Sequence, residues 1–291
     1  MNRNEIHAIV KEAGGSTLTK ESRSANLSAT ADDLRLELNI QIKSFTGLKT
    51  QHLANLVSFW KEQGKSIRTI QNKLAHVRAA LRAVGREKFA DSAQVSNASL
   101  GAAGASRGGT HTVASKEAIE ERISKLQPGF KEAAQLQLTL GLRAQEAIQS
   151  NQSLRLWQQQ LEQGRRVTVL HGTKGGRARD LSITAEKAQQ AALEAVRAAI
   201  AAMDRQGGQL VPSSSLEGAN RAYQRAMNGV DFKGSEASHS LRYLFARSQF
   251  ERYLEAGFDR KEALSALSMD LGHGDGRGRY CEQVYLRGDG G

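Results

Sequence analysis

The segment RRVTVLHGTKGGRARDLSIT, Arg165 to Thr184, is where the apolar residues change their period. Val167, Val169 and Leu170 precede a glycine-rich turn, and Leu181 and Ile183 alternate after it. Period-two alternation around glycines is the pattern of a β-hairpin, with Lys174 at its tip. A phosphate loop is excluded, because GTKGGR lacks the GxxxxGK[ST] spacing. On both sides the spacing becomes helical. Downstream, TAEKAQQAALEAVRAAIAAM follows a capping Thr184, and helical patterns resume from Tyr223 to Leu267. Upstream, SKEAIEERISKL starts at a capping Ser115, and KEAAQLQLTLGLRAQEAIQS reads as one helix after Pro128 and Gly129. Nearer the N-terminus, Leu53, Leu56, Val57 and Trp60 share one helical face, as do Ile67, Ile70, Leu74, Val77 and Leu81. The expected fold class is mainly α with a small β-sheet (α+β).

A chain of 291 residues predicts two domains. Residues 1–31 are expected to be a flexible N-terminal segment, because 12–31 are small and polar, and order is expected from Asp32, where DDLRLELNIQIKSF is compatible with a helix. Residues 32–90 form a helical, DNA-binding unit, and the Ser/Gly/Ala-rich stretch 91–111 reads as a linker. Residues 112–287 are long enough for a core and an active site, and 288–291 make a tail.

A net charge of +11 and a pI near 9.9 point to a polyanionic partner, of which nucleic acid is the commonest. Arg68, Lys73, Arg78 and Arg82 are candidate phosphate contacts on the helix at 66–85, as are Arg177 and Arg179 beside the hairpin. No apolar run reaches membrane-span length and no signal-peptide core is present, which predicts a cytoplasmic, nucleoid-associated protein with no membrane partner. The single cysteine, Cys281, excludes an intramolecular disulfide. The seven histidines form no metal-ligand spacing, so neither metal nor cofactor is expected.

Five segments carry the chemistry, in this order: GLRAQEA with Arg143 and Glu146, the hairpin with Lys174, HSLRYLFA with His239 and Arg242, LGH with His273, and a terminal stretch holding Tyr280 and Tyr285. The set resembles the tyrosine recombinase (phage integrase) family from about Asp32 to the end. That resemblance implies a helical core-binding domain followed by a catalytic domain, together forming a clamp around duplex DNA. The implied activity is site-specific cleavage and rejoining through a 3′-phosphotyrosyl intermediate, integrating or excising a mobile element. Four protomers are implied on the DNA, with room for an accessory DNA-bending protein. Arg143 and Arg242 would offer planar forks to phosphate oxygens, with Glu146 orienting Arg143. Lys174 would protonate the leaving 5′ oxygen. His239 would accept the nucleophile's proton or donate to phosphate, and His273 would donate to a nonbridging oxygen.

The chain departs from the family at its end. The family tyrosine falls about nine positions after the LGH histidine, where this chain has Glu282. Tyr285 is the expected nucleophile, since the loop GDGRGR can absorb extra residues and Val284 and Leu286 give it apolar flanks. Tyr280 is the alternative. Two other readings fit the same residues: a non-catalytic protein of this fold that binds and bridges DNA, and a type IB topoisomerase.

Overall fold

The computed structural model describes residues 1–106 and 108–287, with Leu18 described by its backbone alone. The expected tail at 288–291 lies outside the described residues. The chain divides into two compact units, Met1–Ser106 and Arg107–Gly291.

The first unit is helical: α1 (Arg3–Glu12), α2 (Thr17–Asp32), α3 (Thr50–Glu62), α4 (Ile67–Ala83) and α5 (Glu87–Ala90). The N-terminal segment, expected to be flexible, is instead two capped helices. The Asn2 side chain accepts from the Glu5 amide and the Ser16 side chain from the Thr19 amide. Ile6, Ile9 and Val10, at i, i+3, i+4, are buried in one core with Leu27, Leu56 and Trp60. The helix expected over 32–45 stops earlier. A π-turn covers Asp33–Glu37, and Asn39 takes a positive φ of 51°. The expected linker is also partly structure, since Val95, Leu100 and Ala102 are buried in the same core. Arg78 donates to the Val95 carbonyl at 3.0 Å, and Gln71 donates to the Ala102 carbonyl at 2.8 Å.

The second unit contains α6 (Lys116–Ser124), α7 (Phe130–Leu140), α8 (Ala144–Ile148), α9 (Leu154–Glu162), β1 (Val167–Val169), β2 (Arg179–Leu181), α10 (Glu186–Arg205), α11 (Leu216–Gly229), α12 (Ser240–Glu255), α13 (Arg260–Asp270) and α14 (Gly278–Cys281). A π-turn, Glu282–Leu286, continues α14. Mainly helix with one two-stranded antiparallel sheet is the expected fold class. Val167 pairs with Leu181, Thr168 with Asp180 and Val169 with Arg179. The single helix expected over 131–150 is broken. Gly141 adopts a left-handed φ of 58°, and a Cβ there would lie 2.3 Å from the Phe245 ring. The chain turns under Phe245 and restarts as α8 with Arg143 at the N-cap. Thr184 does not cap α10; Ala185 holds that position and makes no side-chain bond. No helix among the described residues is long and apolar enough to cross a membrane.

Candidate active site

The break between α7 and α8 builds the first part of the site. Glu146 is the third residue of α8, and its carboxylate reaches back to the N-cap: Oε2 accepts from the Arg143 amide at 2.8 Å and Oε1 from Arg143 Nη1 at 2.6 Å. Glu146 is fully buried. Arg179 Nη2 also donates to its Oε2 at 2.8 Å, and Arg242 Nη1 stands 3.9 Å away. Burial pushes the Glu146 carboxyl up, but Arg179, then Arg242 and Arg143, outweigh it and hold the group at about 2.

Arg242, in the first turn of α12, is also completely buried. Its Nη1 donates to the Gly141 carbonyl and its Nη2 to the Leu271 carbonyl. Arg143 Nη2 shares the Leu271 carbonyl at 3.3 Å. Burial, then the charge of Arg179, lowers Arg242 to about 10, which leaves it a cation at neutral pH. Arg143, Glu146 and Arg242 thus come together around the first turn of α8 and the C-terminus of α13.

Leu271 leads directly to His273, whose Nε2 is 3.0 Å from the Tyr285 hydroxyl. Burial, followed by the charges of Arg242, Arg143 and Arg179, holds His273 down to about 3. The imidazole is therefore neutral at pH 7 and has a lone pair to offer to a phenolic proton. His239 packs 6.4 Å, centroid to centroid, from Tyr285, and burial with Arg242 lowers it to about 4. Of the two histidines, it is His273 that meets the tyrosine hydroxyl.

Tyr285 itself is 2% exposed, whereas Tyr280 is 39% exposed and sets its ring edge against His273 at 4.9 Å. Burial raises the Tyr280 phenol. Two further rings in this cluster, one against Tyr285 and one against His239, had no signal in the motifs of the sequence. Tyr243 stands 4.7 Å from Tyr285, its own phenol pushed by burial up to about 12. His111, from the expected linker, lies 5.3 Å from His239 with its Nδ1 2.9 Å from the Ser235 carbonyl. A contact spanning 124 residues leaves no trace in local periodicity.

Lys174 is exposed in the turn between the strands, where Gly175 takes a φ of 73°. It lines a cleft of about 640 Å³ together with Arg143, Arg166, Arg177 and His273. Among the described residues, no group of three or more His, Cys, Asp or Glu side chains is placed to hold a metal ion.

The candidate phosphate contacts divide by depth. Arg68, Arg82 and Arg177 are exposed, although Arg82 pairs with Asp91. Three others are corrected by the structure. Lys73 is buried, 3.7 Å from Asp33 and 4.7 Å from the Trp60 ring centre, so its charge faces inward. Arg78 is half-buried and occupied by Val95 and Asn97. Arg179 is 6% exposed and points at Glu146, because strand pairing sets it opposite buried Val169.

Residues 101–248 match the family model described as integrase, and residues 2–90 match the one described as phage integrase, N-terminal. The integrase match takes in Arg143, Lys174, His239 and Arg242, while His273, Tyr280 and Tyr285 lie beyond it. No curated protein sequence matches the chain. Among solved structures, a Tn1549 transposon integrase carrying a tyrosine-to-phenylalanine substitution, in complex with transposon right-end DNA, is 15% identical at a TM-score of 0.60, covering 99% of this chain and 95% of that one. The Tn1549 integrase in complex with circular intermediate DNA is 16% identical at 0.59, covering 98% and 95%. At such identity the likeness concerns the fold.

Proposed function

Because the chain belongs to the integrase family of tyrosine recombinases, enzymes that cleave and rejoin DNA, we propose that it recombines specific duplex sites with Tyr285 as nucleophile. The observation that carries this reading is the 3.0 Å contact between His273 Nε2 and the Tyr285 hydroxyl, set beside Arg143 and Arg242.

In the proposed reaction the Tyr285 oxygen attacks the scissile phosphorus and its proton passes to His273 Nε2. The bond from phosphorus to the 5′ oxygen breaks, a 3′-phosphotyrosyl bond forms, and the 5′ oxygen takes a proton from the Lys174 ammonium. Attack by the 5′ hydroxyl of another strand reverses these steps and rejoins the DNA without an external energy source. Arg143 and Arg242 stabilise the charge that develops on the nonbridging oxygens. In the DNA-free chain Arg242 spends both Nη donors on carbonyls, while its buried Nε has no hydrogen-bond partner among the described residues. Loading the phosphate then means exchanging carbonyl oxygens for phosphate oxygens, with His239 as a further donor. Exposed Arg177 and Arg166 would track the flanking backbone, and Arg68 and Arg82 that of the first unit's contact. We further propose four protomers per pair of sites, action on a mobile element in the nucleoid, and bending of the DNA by an accessory protein where the sites are separated.

The test is covalent capture. The full chain is incubated with a random-sequence duplex library containing nicks, washed under denaturing conditions, digested, and the DNA-linked peptide is identified by mass spectrometry. An adduct on Tyr285 is expected. An adduct on Tyr280 removes the assigned nucleophile, and DNA bound without any adduct removes the chemistry.

A further inference from the structure

Arg179 has a part in the site that neither its motif position nor its charge announces. On β2 it shares the inward face with Leu181, opposite Val169 and Val167, all buried. An apolar side chain would fill that place without the desolvation that a buried guanidinium costs, several kcal/mol for an ion. What the arginine does instead is bind the groups from which the phosphate-facing arginines hang. Its Nη2 donates to Glu146 Oε2 at 2.8 Å, the same oxygen that accepts from the Arg143 amide. That Nη2 also lies 3.4 Å from the Gly141 carbonyl, which accepts from Arg242. Its Nη1 donates to the Asp270 carbonyl, one residue before the Leu271 carbonyl that both Arg143 and Arg242 use. The aliphatic stem passes close under Gly272, where a Cβ would lie 2.6 Å from Arg179 Cδ.

Resting on the recombinase reading, we infer that Arg179 is a positioning residue: it never touches DNA, and it fixes Glu146 and the Gly141 and Asp270 carbonyls so that Arg143 and Arg242 converge on one phosphate. Through β2 it also fastens the Lys174 hairpin to that cradle, five residues along the chain from Lys174.

The experiment compares cleavage of two substrates by Arg179→Met, Arg179→Lys and the unaltered full chain. The duplex is one recovered by covalent capture on the unaltered chain, carrying at the scissile position either the natural phosphate or a methylphosphonate, which lacks the negative nonbridging oxygen. Arg179→Met is expected to cleave the phosphate about 100-fold more slowly, the order for an ångström-scale misplacement. On methylphosphonate, which asks less of the two arginines, the loss shrinks by at least about tenfold. The ratio of the two rates within one preparation is independent of how much of it is folded, so reduced stability leaves it unmoved. Arg179→Lys restores a charge without the planar fork and is expected to fall between. If Arg179→Met yields no folded protein, the same ratio is read from Arg179→Lys. An unchanged phosphate rate, or equal loss on both substrates, overturns the inference. An unaltered chain that captures no DNA overturns the recombinase reading beneath it, and is seen before any variant is made.

Discussion

Replacing Glu146 with glutamine isolates the electrostatics of the cradle. The carboxylate is fully buried, touches Arg143 and Arg179, and lies 3.9 Å from Arg242. Burial raises it, and the three arginines bring it from an ordinary 4.5 to about 2. Between those values the unfolded chain binds the proton and the folded chain does not. The stabilisation is therefore complete above about pH 4.5 and disappears as pH falls through about 2. A carboxyl depressed that far contributes about 3 kcal/mol. Glutamine keeps the shape but leaves the arginines uncompensated, for which about 3–5 kcal/mol of destabilisation is expected at neutral pH. The assay is urea unfolding of the full chain, read by hydrogen exchange of peptides from Phe130–Leu140 and Ser240–Glu255. The gap between wild type and Glu146→Gln should be constant from neutral pH down to about 5 and shrink by about 3 kcal/mol as pH approaches 2. Protonation of His273, whose shift owes nothing to Glu146, cancels in the difference, and His239 counts Glu146 only as the last cause of its shift, behind burial and Arg242. A gap that keeps its size across that range refutes the view that Glu146 is an ionised partner of the arginines.

Three further outcomes are expected. His273 and His239, held by burial and then by Arg242 down to about 3 and about 4, should stay neutral in NMR titrations of the DNA-free chain until well below pH 6.5. Their folded values lie below the unfolded one, so each withdraws stability as pH drops from 6.5 toward those values; titration midpoints near 6.5 would refute both the burial and the pull of the arginines on them. Lys174→Ala should slow cleavage by roughly 10²–10⁴-fold on ordinary DNA. That loss should be repaired when the leaving 5′ oxygen is replaced by sulfur, which departs without a proton; failure of the sulfur to repair it assigns Lys174 to the DNA backbone instead. Arg177→Ala should lower the slope of log affinity against log salt by about one, while buried Lys73→Met leaves the slope alone and lowers stability. Equal slope changes in the two variants would contradict the assignment by depth.

The motifs named Arg143, Glu146, Arg242, His273 and Tyr285, which the structure places together, because the chemistry they resemble requires particular residue types in a particular order. Depth was harder to see, yet parts of it were present in the spacing. Lys73 lies three residues after Ile70 and four before Val77, which puts it on the buried stripe of α4. Arg179 shares strand parity with Leu181, which marks it as inward once the hairpin register is set. Ile6, Ile9 and Val10 have helical spacing that the polar composition of the following twenty residues obscured. The break at Gly141 is a different case. Helix propensity resumes directly after Gly141, and it is the left-handed φ there, together with the Phe245 ring 104 residues away, that requires a residue without a Cβ.

The choice between the two tyrosines shows why counting residues fails where the backbone changes its pitch. On the proposal that Tyr285 is the nucleophile, it follows His273 by twelve positions, three more than the family interval. The chain uses them in two places. The turn after α13 contains Gly274 and Gly276, both with positive φ, in a loop that lengthens without a rigid frame. Then α14 gives way to the π-turn at Glu282–Leu286, whose i→i+5 bonding takes up one residue more per turn than an α-helix. That wider turn rotates Tyr285 inward onto His273 and leaves Tyr280, on the preceding α turn, 39% exposed. A sequence motif records the interval and not the pitch, so the tyrosine whose hydroxyl meets His273 Nε2 is the one that an α-helical count passes over.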